Sequence, residues 1–363
     1  MAAGHRPEQG EQNAYGRNRD ADAGSQSELR LQDGGRHGRR DPDAAYLHPV
    51  PTILHPRNLD WSGEGMRLFA ALDVGGTDIK FAVLDGSADI VFDGRAATPQ
   101  GRANIAIPEA AASIMESLLA RHPGIAGIGV STAGVVDPGS GEILYAGGTI
   151  PEYRGTNWKS ALGRRFGLPV SVMNDVNAAA LGEWWKGAAR GCPHFACITL
   201  GTGIGGALFT EGAVMAGPRF RAGEIGHSLY DKDAGTTYEQ RASTSALLNR
   251  AAAQWPGFKG SGPELFAAAR SGDAACGALI DEWAAEVARG IAELMLLFDP
   301  LKVLIGGGVS AQGEELLRRI GPHVRSCLPA GFAPAELAVA ELGNRAALYG
   351  AVHAYYTKET ETI

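Results

Sequence analysis

The stretch RLFAALDVGGTDIKFAVLDGSADIVFDGRA, residues 67–96, decides the fold. It holds three β-rich runs, RLFAALDVGG, DIKFAVLDG and DIVFDGRA, separated by turn residues. Such runs, short and punctuated by glycine and aspartate, read as an antiparallel meander. Beyond residue 100, helices and strands alternate. A helical pattern runs from about 103 to 121 and stops at His122-Pro123-Gly124, with the proline and glycine that lie past a helix end. IAGIGVSTAG (125–134) is a buried strand running into a small-residue loop, GTNWKSALGRRFG (155–167) a helix, and VSVMND (170–175) another strand. Three hairpin strands followed by alternating helices and strands make the mixed sheet of an α/β domain.

The second half repeats the theme. HFACITLGTGIGGALFTEG (194–212) is strand, glycine loop, strand; helices come next at STSALLNRAAAQW (243–255), PELFAAARSG (263–272) and about 273–298. KVLIGGGVS (302–310) is strand and glycine loop again, then LAVAELG (337–343) and an amphipathic final helix, NRAALYGAVHAYYTK (344–358), suited to packing back on the first domain.

Residues 1–65 differ in kind. Only 18 of them are hydrophobic, none is lysine, and nine glycines and five prolines are spread through them. A segment this poor in apolar surface does not offset its ordering entropy, so it is predicted to be disordered. GGRHGRRDPD (34–43) interrupts the periodicity that a helix-turn-helix needs. Met66 directly precedes the first strand, so the tail reads as an extension.

The whole chain has 363 residues, 45% hydrophobic, with a formal net charge of -7 and a pI near 5.8. That balance argues against a polyanion-binding surface, hence against nucleic acid as the partner. No apolar run approaches the roughly 20 residues of a membrane helix. Arg39-Arg40 is followed by DPDAAYLHPV and not by the apolar region of an export signal. Cys192, Cys197, Cys276 and Cys327 lack the spacing of a metal knuckle and read as reduced, buried small hydrophobes of a cytoplasmic protein.

Three predicted strands end in glycine clusters: Asp73-Val74-Gly75-Gly76-Thr77, Gly201-Thr202-Gly203-Ile204-Gly205-Gly206, and Gly306-Gly307-Gly308. Glycine lets backbone N–H groups approach a phosphate closely. One such turn is usually structural; three at strand ends point to a nucleotide. No GxxxxGK motif is present, which excludes the Walker loop. Residues 201–206 match GxGxxG, but a β-type run comes next where a dinucleotide fold has a helix. Loops clasping phosphates from two lobes fit better.

LDVGGT (72–77), STAGVVD (131–137), MNDVNAAALGE (173–183), LGTGIGG (200–206), RAGEIGH (221–227) and IGGGVS (305–310), in this order, resemble the ROK family of sugar kinases and related repressors over residues 66–355. The resemblance implies a two-domain, actin-like (ribonuclease-H-like) α/β fold with a cleft between lobes: a small lobe of 66–176 plus 344–363 and a large lobe of 177–343. It implies transfer of the γ-phosphoryl group of ATP to a hexose hydroxyl, with Mg²⁺, and a homodimer. A sugar hydroxyl is a poor nucleophile, so a carboxylate must take its proton. Asp175 matches the family's base, although an aspartate before a helix is also a favoured N-cap. Asn174 matches a sugar contact. Asp73 closes the first strand near the phosphates, where Mg²⁺, held through water, removes the repulsion. Thr77 and Thr202 offer hydroxyls to phosphate, and Gly75, Gly76, Gly201 and Gly203 offer backbone; Gly307 and Gly308 match the loop beside the adenosine. Asp78 and Lys80 are left aside as solvated strand residues.

Glu224, His227 and Glu239 match the sugar pocket, with Gly134 and Thr149 as further contacts. A lone histidine is more often structural; the surrounding GEIG favours substrate. Many relatives carry a cysteine-rich zinc segment between this histidine and the last glutamate. Here DKDAG (231–235) supplies only hard oxygens, so no zinc is expected and the loop must be held by packing and hydrogen bonds. The cysteine-free version, IPEYRGTNW (150–158) and ASTSALL (242–248) resemble β-glucoside kinases. The implied reaction is phosphorylation of glucose or a β-glucoside at its 6-hydroxyl. N-acetylmannosamine or fructose is an alternative acceptor, and a sugar-responsive regulator the alternative class.

Overall fold

The computed structural model describes residues 67–147 and 150–357. The expectations for residues 1–65 and for Thr149 lie outside the described residues. The elements run β1 (Leu68–Val74), β2 (Asp78–Leu84), β3 (Ile90–Ala97), α1 (Ala103–Arg121), β4 (Ile125–Thr132), β5 (Val135–Asp137), β6 (Glu142–Tyr145), α2 (Arg164–Phe166), β7 (Val170–Asn174) and α3 (Asp175–Lys186). The second half holds β8 (His194–Leu200), β9 (Ile204–Thr210), β10 (Ala213–Val214), α4 (Tyr238–Ala242), α5 (Thr244–Gln254), α6 (Gly262–Arg270) and α7 (Ala274–Phe298), then β11 (Lys302–Gly306), α8 (Glu314–Cys327), β12 (Glu336–Val339) and α9 (Ala346–Val352).

The first sheet has the order β3-β2-β1-β4-β7. Its first three strands are the antiparallel meander, while β1, β4 and β7 run parallel. Side chains alternate between faces along a strand. Ala70, Leu72 and Val74 of β1 therefore join Ile107, Ala111 and Met115 of α1, while Phe69 and Ala71 join Leu348 and Val352 of α9 on the other face. Phe69 stacks on Tyr355 just past α9, ring centroids 4.9 Å apart. Two glycines in β4 make room for this cover: a Cβ on Gly127 would strike the Tyr355 ring, and one on Gly129 the Ala351 carbonyl.

The second sheet has the order β10-β9-β8-β11-β12. One face carries α5, α6, α7 and α8 over Ile198, Leu200, Val303 and Ile305; the other packs Phe195, Cys197, Phe209 and Leu304 against Val176, Ala180 and Leu181 of α3. Between the sheets α3 and α9 meet backbone to backbone. A Cβ on Gly182 would collide with the Ala346 carbonyl, and one on Gly350 with that of Ala178. At the end of α3 the buried Glu183 carboxylate accepts backbone N–H bonds from Ala188 (2.8 Å), Leu342 (2.8 Å) and Glu341 (3.2 Å), tying the helix to the segment that leads into α9.

Three expectations need correction. The continuous helix predicted over 155–167 is a π turn, Lys159–Gly163, running into the short α2. The final helix is confined to Ala346–Val352 with tighter 3-10 turns on either side. Cys197 and Cys276 are buried as read, but Cys192 is half-buried and Cys327 is exposed, because it closes α8 beyond the packed stripe of Leu316, Ile320 and Val324. The helix α8 itself was not anticipated.

Candidate active site

The junction of β7 and α3 places the central carboxylate. Asn174, in extended conformation, caps α3: its Oδ1 accepts from the N–H groups of Val176 (2.9 Å) and Asn177 (3.0 Å). Asp175 is thus the first residue of the helix and not its cap, which corrects the structural alternative weighed for it. The Asn174 amide also donates to Gly134 O (3.0 Å) and Asp175 Oδ1 (2.9 Å). Both donors and both acceptor sites of that side chain are therefore taken within the protein. Asn174 thereby orients Asp175 and Gly134.

Asp175 Oδ1 further accepts from Val176 N–H at 3.0 Å, and neither donor engages Oδ2. The side chain keeps some contact with solvent yet lies among enough protein to be desolvated. Burial first, then the like charge of Asp73, push its carboxyl up to about 6; the N–H bonds oppose this and Glu224 adds to it. These are the conditions under which a carboxylate becomes a useful base near neutral pH.

Asp73 lies at the end of β1, its side chain 13% exposed. Its Oδ1 accepts from Ser131 Oγ at 2.8 Å, and Oδ2 faces Lys80 Nζ at 3.3 Å. Asp73 and Lys80 are direct partners across the β1–β2 hairpin, so Lys80, set aside on sequence grounds, belongs to the site. The tight turn between them fixes that register and is the signal that could have found it. Gly75 and Gly76 form the turn, braced by Thr98 Oγ1 on Gly75 O (2.7 Å) and Thr98 N–H on Thr77 O (2.8 Å), with Thr77 exposed at the tip.

The second and third glycine loops sit at the ends of β8 and β11, parallel neighbours in the second sheet. Gly201 N–H donates to Gly203 O (3.0 Å), Thr244 N–H to Gly201 O (2.9 Å), and Thr202 is exposed. Gly307, at φ 82°, presses on the backbone of Leu200, so only glycine fits there. Gly201 and Gly308 face open space: a Cβ on either would meet nothing within 4 Å. Among the described residues no hydrogen bond joins residues 75–77 to 201–203 or to 307–308; the loops belong to different sheets.

Glu224 precedes and His227 ends a single 3-10 turn, Ile225–His227, with Nε2 of the histidine 3.9 Å from Oε2 of the glutamate. Burial holds the Glu224 carboxyl above its ordinary range, with Glu239 adding to this and His227 and Arg221 opposing it. Glu239, in α4, accepts from Ile204 N–H at 2.8 Å through Oε2, so it joins this end of the site to the second glycine loop. Between His227 and Glu239 the loop closes on itself through the Asp231–Thr236 bridge, and Asp231 Oδ1 accepts from Asp233 and Ala234 N–H. Arg241 staples it from beneath: its guanidinium, on a side chain 12% exposed, donates to Leu229 O (2.6 Å), Thr236 O (2.8 Å) and Thr237 O (3.1 Å) and pairs with Glu286 (3.2 Å). Sequence reasoning missed Arg241; an arginine two residues after Glu239 carries no signal until the loop is seen to fold over it. Among the described residues no group of three or more His, Cys, Asp or Glu side chains is placed to hold a metal ion.

Asp73 and Glu224 thus both act on Asp175, and Gly134, Asn174, His227 and Glu239 adjoin them. The ROK family matches residues 69–358. The chain is 36% identical to a β-glucoside kinase of Klebsiella pneumoniae, across 78% of this chain and 94% of that one. A ROK family glucokinase of Streptomyces griseus, solved with glucose and AMPPNP, superposes with a TM-score of 0.70 at 33% identity, over 79% and 98% of the two chains. A ROK family transcriptional regulator, homologous to the E. coli MLC protein, superposes with a TM-score of 0.71 at 23% identity, over 80% and 78% of the two chains, a likeness of fold alone. Match, identity and superposition agree over both sheets, and the chain belongs to the ROK family, with the two-domain, actin-like α/β fold of its sugar kinases.

Proposed function

We propose that the chain transfers the γ-phosphoryl group of ATP to the 6-hydroxyl of a hexose, glucose or a β-glucoside, with Asp175 as the base. The observation that carries this reading is the state of Asp175: Asn174 and Val176 fix one oxygen, and its carboxyl is pushed up to about 6. At neutral pH such a group is ionised and still basic enough to accept a proton from a hydroxyl. As the bond between sugar oxygen and γ-phosphorus forms, the hydroxyl proton passes to Oδ2. The bond to the bridging oxygen breaks, and ADP leaves with that electron pair.

Glu224, His227 and Glu239 hold the sugar hydroxyls, and the backbone at Gly75–Thr77 and Gly201–Gly203 faces the phosphates. Gly307 and Gly308 border the adenosine. Mg²⁺ would supply charge neutralisation at the phosphates, as a hard cation that favours oxygen ligands and water. Asp73 fits a contact through such a water, since Ser131 and Lys80 leave its carboxylate anchored at the strand end. The first sheet with α9 and the second sheet with its helices act as the two lobes, which close to exclude competing water. The similarity to a β-glucoside kinase and to a glucokinase with glucose and AMPPNP supports the reading.

A coupled ADP-release assay with glucose, cellobiose, N-acetylmannosamine and fructose tests it. Sugar-dependent turnover is expected on glucose or cellobiose, and Asp175→Asn should lower it by about 10²–10⁴-fold, the usual contribution of a positioned base. Turnover that needs no sugar, or that survives in Asp175→Asn, defeats the proposal.

A further inference from the structure

The carboxylates that define the site run from a desolvated end to an open one. Asp175 is desolvated, Glu224 is half-buried, and His227 is 55% exposed. Beyond His227 stands Tyr145, the last residue of β6, on the hairpin that comes after Gly134. Its ring meets the imidazole edge-on, centroids 6.2 Å apart and planes at 80°, and the residue is 46% exposed. The Tyr145 carbonyl abuts Gly134, whose φ of 101° admits only glycine comfortably, so the hairpin is fixed against the residue that Asn174 also holds. An aromatic ring anchored at the mouth of a polar site and left half bare needs an explanation.

The space beside it supplies one. A cavity of about 390 Å³ is bounded by Ala146, Ile150, Glu152, Tyr153, Arg154 and Asn104, among others. Its inner wall is Tyr153, whose hydroxyl lies 2.6 Å from Thr132 Oγ1 and accepts from Trp158 Nε1 at 3.1 Å; Asp175 is near enough to act on it electrostatically. Tyr145 directly precedes the lining residue Ala146 in the chain, and Tyr153 ties the cavity wall to Thr132 at the end of β4. A volume of this order lies at the lower end of small-molecule pockets, and suits one ring. Apolar wall plus a few polar groups, here Asn104, Glu152 and Arg154, is the usual composition of such a pocket.

We propose that Tyr145 and this cavity form the subsite for the group carried on the first carbon of the phosphorylated hexose, a second sugar ring or an aryl aglycone. The inference rests on the reading of the chain as a hexose 6-kinase. With the 6-hydroxyl at Asp175, the remainder of a larger substrate has to leave toward the exposed end, past His227. There Tyr145 offers a flat apolar face for the C–H side of a pyranose and a polar tip for its hydroxyls. Free glucose leaves this surface bare, so the subsite favours glucosides over the free sugar.

The test compares kcat/KM for cellobiose and for glucose at saturating ATP and Mg²⁺ in the wild type, Tyr145→Ala and Tyr145→Phe. The ratio of the two constants should fall about tenfold in Tyr145→Ala, the worth of one aromatic contact, and stay within about twofold in Tyr145→Phe, which keeps the ring. Thermal unfolding of both variants checks that this exposed position leaves the fold intact. An unchanged ratio in Tyr145→Ala overturns the subsite, as does a wild type that phosphorylates glucose and rejects cellobiose and aryl β-glucosides. A wild type that phosphorylates no sugar is a different outcome: it removes the kinase reading and the subsite together.

Discussion

Gly203 and Glu239 share one space: a Cβ on the glycine would run into the glutamate carboxylate, which accepts the N–H of the next residue, Ile204, at 2.8 Å. Glu239 lies at the end of the site proposed for the sugar and Gly203 in a glycine loop, so the two touch through this pair. Gly203→Ala should lower kcat/KM for both sugar and ATP by about tenfold or more, since overpacking typically costs 1–3 kcal/mol. Gly201→Ala and Gly308→Ala add a methyl that meets only open space. They should leave the melting temperature unchanged while raising KM for ATP, which steady-state kinetics and thermal unfolding together distinguish.

The raised titration of Asp175 fixes a pH dependence. As the proposed base, Asp175 works ionised, so activity is present above its pKa and is lost as pH falls through it. With the carboxyl at about 6, kcat/KM for the sugar should decline about tenfold per unit below that point. Asp73 is the second cause of the shift, so the residual activity of Asp73→Asn should show an acid limb displaced to lower pH. A pH–rate profile of both proteins reads this directly, and an unmoved limb refutes the coupling.

Arg241 does for the 228–237 loop what a bound metal could do, through hydrogen bonds to three carbonyls. Arg241→Lys cannot reproduce a planar fork. Arg241→Ala and Arg241→Lys should both raise KM for the sugar, by about tenfold, because His227 and Glu239 bracket the loop, with a much smaller change in kcat; buried hydrogen-bond partners left unmet cost about 1–3 kcal/mol. A zinc chelator followed by excess Mg²⁺ should leave both activity and melting temperature where they were.

The crossing of α3 and α9 tolerates no side chain at its closest points. Gly182→Ala or Gly350→Ala should destabilise the protein by about 2–3 kcal/mol, read as a shift in the urea midpoint, because the added methyl meets a helix backbone that has no rotamer to change.

Much of this is legible in the sequence. The meander shows because two glycine or aspartate turns cut three β-rich runs, and α1 because its periodicity ends at a proline and glycine. The glycine loops and Asp175 are legible from motif order. What escapes depends on three-dimensional register. Lys80 joins the site only because the hairpin pairs it with Asp73. Whether Asn174 or Asp175 caps α3 turns on a single extended backbone position, and the two chemistries are equally suited to it. The helix α8 keeps a stripe of Leu316, Ile320 and Val324, but Gly321-Pro322 in its middle reads as a break.

The stacking of Phe69 on Tyr355 sets an order of events during synthesis. Phe69 leaves the ribosome near the start of the family domain, and Tyr355 near its end. At 5–20 residues per second, one face of the first sheet waits roughly a quarter of a minute to a minute for its cover. The second sheet needs only residues 194–339 and α3, all made earlier. The nascent chain therefore carries a finished second half beside a first half whose Phe69, Ala71, Ala82 and Leu84 are bare. Shortening the chain by α9 and Tyr355 would leave that face uncovered for good.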